Sequence, residues 1–184
     1  MAFEEKEKFS VRSVLNDPSG SETQDGRRKS QSQTPLDKAK KWAMDYLSRP
    51  HSEKELRAKL REKGCSPEDI DTVCALCTDY GFLNDAEYAA AIVRHYAGRG
   101  YGEGRIRVEL GRRGIDKELW DGAFAEMPED TDTIDRLLAS RLRGRDASDR
   151  KEREKAANAL FRRGFSWDEI RAAMRRYGQD DDEY

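Results

Sequence analysis

The feature that most constrains this chain is a pattern of apolar and glycine positions that recurs every 50 residues. The pattern is an apolar pair four residues apart, a glycine four residues later, and a bulky apolar residue after that. Its three occurrences are Leu56, Leu60, Gly64 and Ile70; Ile106, Leu110, Gly114 and Trp120; and Ala156, Leu160, Gly164 and Ile170. A fixed period of this length indicates tandem repeats, each of which is one supersecondary unit.

Start and stop signals divide each repeat into three helices. Ser52 with Glu55 and Ser166 with Glu169 have capping-box spacing, and Ser66 precedes a proline suited to a first helical turn. The glycines predicted to end helices are Gly64, Gly81, Gly98, Gly114, Gly144, Gly164 and Gly178. The predicted helices are 36–48, 52–63, 67–80, 84–97, 102–113, 116–127, 131–143, 149–163 and 166–177. No segment has the alternation of a strand.

The composition is consistent with slender helices. Hydrophobic residues make up 36% of the chain and charged residues 39%, against about 25% charged in an average domain. Such a chain can bury narrow apolar stripes but not a thick sheet core. One repeat is too small to be stable alone, so neighbours must cover one another. We therefore predict an all-α fold of three tandem three-helix repeats in an elongated, curved arrangement.

The ends of the chain differ from the repeats in composition. Residues 16–35 are polar and contain no aliphatic side chain, which is typical of a disordered linker. The predicted organisation is a disordered or loosely structured leader at 1–35, repeats at 36–83, 84–128 and 129–178, and an acidic tail at 179–184.

Several function classes are disfavoured. The chain has neither the apolar run of about 20 residues that crosses a membrane nor the basic, apolar start of a secretion signal. The odd number of cysteines, three, argues against a disulfide framework and favours a reducing cytoplasm. Cys74 and Cys77 lie inside a predicted helix without further ligands, so we expect core cysteines. His51 and His95 are far apart, and we predict no enzyme activity, metal site or cofactor.

The glycine-rich segment 98–105 has two interpretations. It could be a flexible link between two helices of the second repeat. Alternatively, its backbone amides and Arg99 could approach a phosphate or a carboxylate. A nucleotide-binding loop is disfavoured, because the segment follows a helix and lacks the Lys-Ser/Thr ending.

Basic residues are concentrated in the second and third repeats. Residues 94–114 contain six Arg and two Glu, and residues 136–163 contain ten Lys and Arg against four acids. A solvated face is one explanation. The excess of arginine over lysine favours recognition, because guanidinium groups form paired hydrogen bonds with carboxylate or phosphate. The target could be an acidic protein surface, a nucleic-acid backbone, or both.

Three blocks of sequence resemble the RecX family of regulatory proteins. They are Ser-Glu-Lys-Glu-Leu-Arg-Ala-Lys-Leu-Arg-Glu-Lys-Gly at 52–64, Asp-Tyr-Gly-Phe-Leu-Asn-Asp-Ala-Glu-Tyr-Ala at 79–89, and Gly-Tyr-Gly at 100–102 with the helix that follows. The resemblance covers about residues 36–178 and is strongest in the first two repeats. The third repeat departs most, with Ala156 in place of a larger aliphatic residue.

The resemblance implies a regulator of the bacterial recombinase RecA in DNA repair, DNA recombination and the SOS response. Family members bind in the groove of the RecA filament on single-stranded DNA and suppress strand exchange, ATP hydrolysis and co-protease activity. On this basis we expect a cytoplasmic, non-membrane, monomeric protein whose partner is that filament, with contacts to single- or double-stranded DNA also possible. The alternative is a sequence-independent nucleic-acid-binding helical repeat protein. The candidate contact residues are Arg94, Arg99, Tyr101, Arg105, Arg107, Arg112, Arg113, Arg141 and Arg143.

Overall fold

The structure is a computed structural model that describes residues 34–125, 127, 131–144 and 149–180. The predictions for the leader as far as residue 33 and for the tail from residue 181 lie outside these residues. Within the described part of the chain, all regular structure is helical. None of the helices described is long and apolar enough to span a membrane.

Each repeat contains three helical segments, which confirms the predicted all-α fold of three-helix repeats. In the first repeat they are α1 (Pro35–Tyr46), α2 (Glu53–Glu62) and α3 (Pro67–Asp79). In the second they are α4 (Asp85–Ala97), α5 (Glu103–Arg112) and α6 (Trp120–Ala125), with a 3-10 turn at Lys117–Leu119 before α6. In the third they are α7 (Thr131–Leu142), α8 (Arg150–Arg162) and α9 (Trp167–Asp180).

The predicted helix starts are capped as expected. The Ser52 and Ser166 hydroxyls accept hydrogen bonds from the Glu55 and Glu169 amides, and each Glu accepts from its serine amide in return. The first helix begins one residue earlier than predicted. Thr34 is its N-cap, so Pro35 belongs to the first turn of α1 and not to the leader, because a proline there sacrifices no helical hydrogen bond.

One predicted helix end at a glycine is confirmed, and two other predicted ends are wrong. Helix α4 ends at Ala97 with Gly98 as its C-cap, as predicted, and the residue with positive φ follows two positions later at Gly100, with φ +73°. Gly178 lies within α9, which continues to Asp180. The third segment of the second repeat is shorter than predicted and opens with a 3-10 turn. The Trp120 indole N–H donates to the carbonyl of Ile115 (3.2 Å), and this hydrogen bond stabilises the 3-10 turn that leads into α6.

Each repeat has its own hydrophobic core. The recurring apolar pairs are buried: Leu56 and Leu60, Ile106 and Leu110, and Ala156 and Leu160 are each 3% exposed or less. Cys74 and Cys77 belong to the first core, as predicted. Burial raises the pKa of the Cys77 thiol to about 11, which suits a packing role rather than a reactive one.

The second and third repeats meet where α5 begins and α8 ends. The Gly102 amide donates to the Arg163 carbonyl, and the Gly104 amide donates to the Gly164 carbonyl, both at 2.9 Å. A Cβ on Gly102 would lie 2.6 Å from the Gly164 carbonyl oxygen. The glycine-rich segment is therefore a tight packing surface. The flexible-link interpretation is wrong, since the segment is held in place. The amides of Gly102 and Gly104 are already bonded within the chain, whereas an approach of the Arg99 side chain to a phosphate or carboxylate stays a prediction.

The first and second repeats meet at the equivalent positions. The Ser52 hydroxyl donates to the Arg113 carbonyl (2.5 Å), and the Glu53 amide donates to Asp85 Oδ1 (2.9 Å). At both contacts, which we call the repeat junctions, the start of one second helix lies on the end of the next. The positive end of each helix dipole thus meets the negative end of its neighbour.

Glu109 stabilises the junction of the first and second repeats. It is 5% exposed and accepts hydrogen bonds from Arg112 Nη2 (2.6 Å) and from Arg113 Nε (2.8 Å). The hydrogen bond from Arg112 leads the causes that lower the pKa of Glu109 from 4.5 to about 2, and Arg113 adds to it against the effect of burial. Arg113 also donates to the Tyr88 hydroxyl. The end of α5 that receives Ser52 is therefore held in place by ionic hydrogen bonds.

The close approach at the junction of the second and third repeats predicts unequal costs for two glycine substitutions. Gly64 and Gly164 have φ values of +77° and +92°, so alanine is strained at either position, by roughly 1–2 kcal/mol. A Cβ at Gly64 meets open space, whereas one at Gly164 collides with the backbone of Arg105. We expect Gly164→Ala to cost about 1–3 kcal/mol more than Gly64→Ala in urea unfolding. Equal costs would contradict this packing.

The Glu109 cluster predicts a dependence of stability on pH. Because the folded pKa is depressed, the carboxylate stabilises the fold above its ordinary pKa of 4.5, and this contribution is lost as pH falls towards 2. The unfolding free energy of the wild type should exceed that of Glu109→Gln by up to about 3 kcal/mol at neutral pH. That difference should shrink steadily under acid. A difference that does not change with pH would refute the assignment.

Candidate partner-binding surface

The candidate arginines fall into two groups according to their contacts. The first group is exposed and, within the described residues, makes no side-chain hydrogen bond, ion pair or ring contact. Its members are Arg99, Arg105, Arg141 and Arg143. The second group is engaged inside the chain and consists of Arg107, Arg112 and Arg113. Arg94 lies exposed on α4 and has an interaction of its own.

Arg107 is held within the second repeat. Its Nη2 lies 2.6 Å from Glu103 Oε1, and its guanidinium group lies over the Phe124 and Trp120 rings at 4.7 and 5.8 Å from their centroids. Arg112 and Arg113 share the carboxylate of Glu109. These guanidinium groups stabilise the scaffold on which the exposed arginines stand.

Tyr101 and Arg99 lie at the junction of the second and third repeats. Tyr101 is half-buried, with the Arg163 guanidinium group 5.5 Å from its ring centroid. Arg163 also donates to the carbonyls of Arg99 (3.3 Å) and Gly100 (3.2 Å). The third repeat therefore fixes the backbone before α5 and leaves the Arg99 side chain in solvent.

A groove of about 680 Å³ runs along this junction between α5 and α8. We call it the junction groove, and its exposed lining includes Arg105, Val108, Phe161 and Arg162. Val108 is 59% exposed and Phe161 49% exposed, although both are large apolar side chains. Arg105 and Arg162 have no ionic partner among the described residues. Exposed apolar surface beside unpaired arginines is typical of a site that binds a macromolecule.

Phe161 is also part of an exposed aromatic pair that the sequence analysis missed. Its ring stacks on Trp167, with centroids 5.0 Å apart and planes 20° from parallel, and Trp167 is 45% exposed. The repeat period contains the signal. The positions equivalent to Phe161 are Arg61 and Gly111, and those equivalent to Trp167 are Pro67 and Lys117. Only the third repeat places aromatic residues there.

The remaining candidates are spread over other faces. Arg141 on α7 lines a small depression together with Arg162 on α8. Arg143 is exposed just beyond α7. Arg94 lines a separate depression between α4 and α6. The structure thus brings Arg105 and Arg141 each beside Arg162, and it leaves Arg94 apart.

The histidines and acids of the described residues do not converge. His51 stacks on Tyr46 with ring centroids 4.0 Å apart, and His95 is exposed on α4. Among the described residues, no three of the His, Cys, Asp and Glu side chains are grouped so that they could hold a metal ion. The chemistry that this surface offers is ion pairing by arginine and contact with exposed apolar side chains.

Comparison with known proteins gives matches for all three repeats. Family models of the first, second and third three-helix domains of RecX match residues 39–75, 84–127 and 128–174. A Vibrio vulnificus protein named Regulatory protein RecX is 37% identical over 142 residues, which are 76% of this chain and 93% of the relative. A Xanthomonas axonopodis pv. citri protein of the same name is 39% identical over 149 residues, 80% of this chain and 90% of the relative.

Solved structures share the fold. The crystal structure of RecX from Lactobacillus salivarius superposes with a TM-score of 0.72 at 24% identity, covering 77% of this chain and 96% of that one. A second structure, titled regulatory protein RecX, gives a TM-score of 0.67 at 24% identity, covering 77% of this chain and 72% of that one. The family models cover well over half of the chain, and the named relatives exceed one-third identity over most of their length. The chain therefore belongs to the RecX family of regulatory proteins.

Proposed function

We propose that this protein binds the RecA filament on single-stranded DNA and inhibits its recombinase, ATPase and co-protease activities. Membership of the RecX family supports this proposal, since the relatives are named regulatory proteins. The role carries with it a location in the cytoplasm and a part in limiting DNA recombination, DNA repair and the SOS response. The protein would act by occupying the filament, without a reaction of its own.

The structural feature that most strongly supports the proposal is the junction groove. Arg105 and Arg162 stand unpaired on either side of it, with exposed Phe161 in its wall. Backbone hydrogen bonds of 2.9 Å fix the third repeat against the second, so the helices that carry these side chains are held at a set spacing before a partner arrives. Preorganised contacts cost less entropy on binding. A filament presents the same surface repeatedly, so modest contacts along several repeats would add up to avidity.

A sequence-independent nucleic-acid binder is the second candidate, and the unpaired arginines favour it as well. The two candidates differ in their response to salt. Binding to bare DNA that depends on phosphate contacts weakens steeply as salt rises. If the protein binds single-stranded DNA alone as tightly as it binds the filament, and with that steep salt dependence, the filament is not its specific partner.

The central test is the ATPase activity of RecA on single-stranded DNA, with this protein titrated in below stoichiometry. We expect the wild type to inhibit. Replacing both groove arginines, as Arg105→Glu with Arg162→Glu, should raise the concentration needed for half inhibition by roughly tenfold or more, because each reversal turns an attraction into a repulsion. No inhibition by the wild type would overturn the proposed function.

The matched control is the double reversal Arg49→Glu with Arg61→Glu. Both residues are exposed in the first repeat and have no described ionic partner, so their reversal should leave inhibition close to the wild-type level. Arg112 is unsuitable for such a test, since a glutamate there would face the buried carboxylate of Glu109. Equal losses in the groove variant and the control would show a general effect of charge.

A further inference from the structure

The space between the second and third helices is occupied differently in the three repeats. We refer to this space as the cleft of each repeat. In the first repeat Arg57 fills the cleft. Its Nε lies 2.6 Å from Glu53 Oε1, and its Nη1 lies 2.5 Å from Asp71 Oδ1. These two acids raise the pKa of Arg57 further above its ordinary value. The cleft is closed by one cation held between two carboxylates.

The second repeat uses the same device 50 residues later. Arg107 pairs with Glu103 at 2.6 Å and approaches Asp121 at 4.0 Å. Its guanidinium group also covers the apolar floor, since it lies over the rings of Phe124 and Trp120. In both repeats the arginine is only partly exposed, with 29% and 40% of its side-chain surface accessible.

The third repeat inverts this arrangement. The position of Arg57 and Arg107 is Ala157, which is too short to cover the cleft. The positions of the flanking acids are Arg153 and Arg171. Two cations therefore border a vacant place where, in the other repeats, two anions hold a cation.

The result is an open cleft of about 490 Å³ between α8 and α9, which we call the third-repeat cleft. Its apolar lining consists of Ala157, Trp167, Ile170 and Met174, and its rim carries four arginines, Arg150, Arg153, Arg171 and Arg175. One acid also lies in the rim, Glu154, and it pairs with Arg150 at 2.8 Å. Arg153 and Arg175 have no ionic partner among the described residues. Arg171 pairs only with Asp168, whose side chain is 90% exposed, and such surface pairs contribute little and exchange readily.

We propose that the third-repeat cleft binds an acidic amphipathic helix of a protein partner. A carboxylate from that helix lies between Arg153 and Arg171, where it occupies the place of the missing guanidinium group with the charges reversed. Its apolar side chains pack on Met174 and Trp167. This is the helix-in-groove mode of recognition, in which apolar anchors at helical spacing enter a groove and charges at the rim set orientation. Methionine suits such a floor because its flexible side chain adapts to the shape of the ligand.

The lining favours a peptide over a nucleic acid. A single strand is bound by aromatic faces on which successive bases stack. Phe161 already covers one face of Trp167, with ring centroids 5.0 Å apart. The rest of the apolar lining is aliphatic or methionine. Arginine rather than lysine at the rim is consistent with paired hydrogen bonds to carboxylates.

This inference rests on the proposed function only in naming the recombinase filament as the natural source of such a helix. The cleft itself can be tested without RecA. The probe is a fluorescein-labelled helical peptide of about 16 residues, with leucine at every third or fourth position and glutamate on the flanks. A scrambled peptide of the same composition and a labelled oligothymidine of about 15 nucleotides are the comparison ligands.

The decisive variant rebuilds the closed cleft of the other repeats, as Ala157→Arg, Arg153→Glu and Arg171→Asp together. We expect the wild type to bind the amphipathic peptide at least tenfold more tightly than the scrambled one, and the closed-cleft variant to lose that preference. A milder variant, Arg153→Gln, should weaken peptide binding severalfold. It keeps the test valid if the triple variant does not fold by circular dichroism.

The control for charge is Arg49→Glu with Arg61→Gln, which changes the net charge by the same amount as the closed-cleft variant and should bind the peptide as the wild type does. Equal binding of both peptides by the wild type would overturn the proposal. A closed-cleft variant that loses binding to the oligothymidine but keeps binding to the peptide would also overturn it.

The RecA ATPase assay separates this proposal from the proposed function. Inhibition by the wild type, and equal inhibition by the closed-cleft variant, would refute a role for the third-repeat cleft but not the proposed function. Absence of inhibition by either, with intact peptide binding, would refute the proposed function alone.

Discussion

The structure depends on one contact made twice, in which the start of a second helix lies on the glycine-terminated end of the next repeat's second helix. At one junction Gly102 and Gly104 allow two backbone hydrogen bonds to α8, and at the other the Ser52 hydroxyl bonds to the end of α5. Each repeat has a separate core, so these contacts set the position of one repeat on the next. A side chain at Gly164 would push α8 away from α5. Gly164 therefore sets the close approach of the two helices that border the junction groove.

Much of the fold could be predicted from the sequence, because helix signals are local. Capping boxes at Ser52 and Ser166, the buried apolar pairs and the all-α class follow from residue spacing alone. The errors concern how individual glycines are used, since a glycine both ends helices and is tolerated within them. Gly98 is the C-cap of α4, and the positive φ falls at Gly100, where the Tyr101 amide bonds back to Tyr96; Gly178, by contrast, lies inside α9. The spacing of glycines alone does not distinguish these cases.

The binding surface is harder to predict than the fold, because arginines that look alike in the sequence differ in whether they are engaged within the chain. Arg105 and Arg107 are two residues apart on one helix, yet the first is unpaired and the second is clamped over aromatic rings. The difference follows partly from local sequence, since Arg107 has Glu103 one turn before it and such pairs attract. It also needs tertiary knowledge, because Glu109, one turn after Arg105, is buried and already bound by Arg112 and Arg113. Counting charges along the chain cannot separate these cases.

The repeat period becomes most informative where it is broken. The glycine that ends each second helix is kept in all three repeats, as Gly64, Gly114 and Gly164, each with positive φ. The cleft positions follow the same period with opposite chemistry: glutamate, arginine and aspartate in the first two repeats become Arg153, Ala157 and Arg171 in the third. Loss of an arginine like Arg57 removes the ion pairs that link the second and third helices across the cleft and leaves its apolar floor uncovered. The pairs described at the cleft of the third repeat, Arg150 with Glu154 and Arg171 with Asp168, each lie along a single helix and do not bridge it. A cleft that lacks the arginine of the other repeats is understandable if a partner protein supplies the groups that fill it. The same comparison of repeats that reveals the fold therefore indicates which repeat is adapted to a partner.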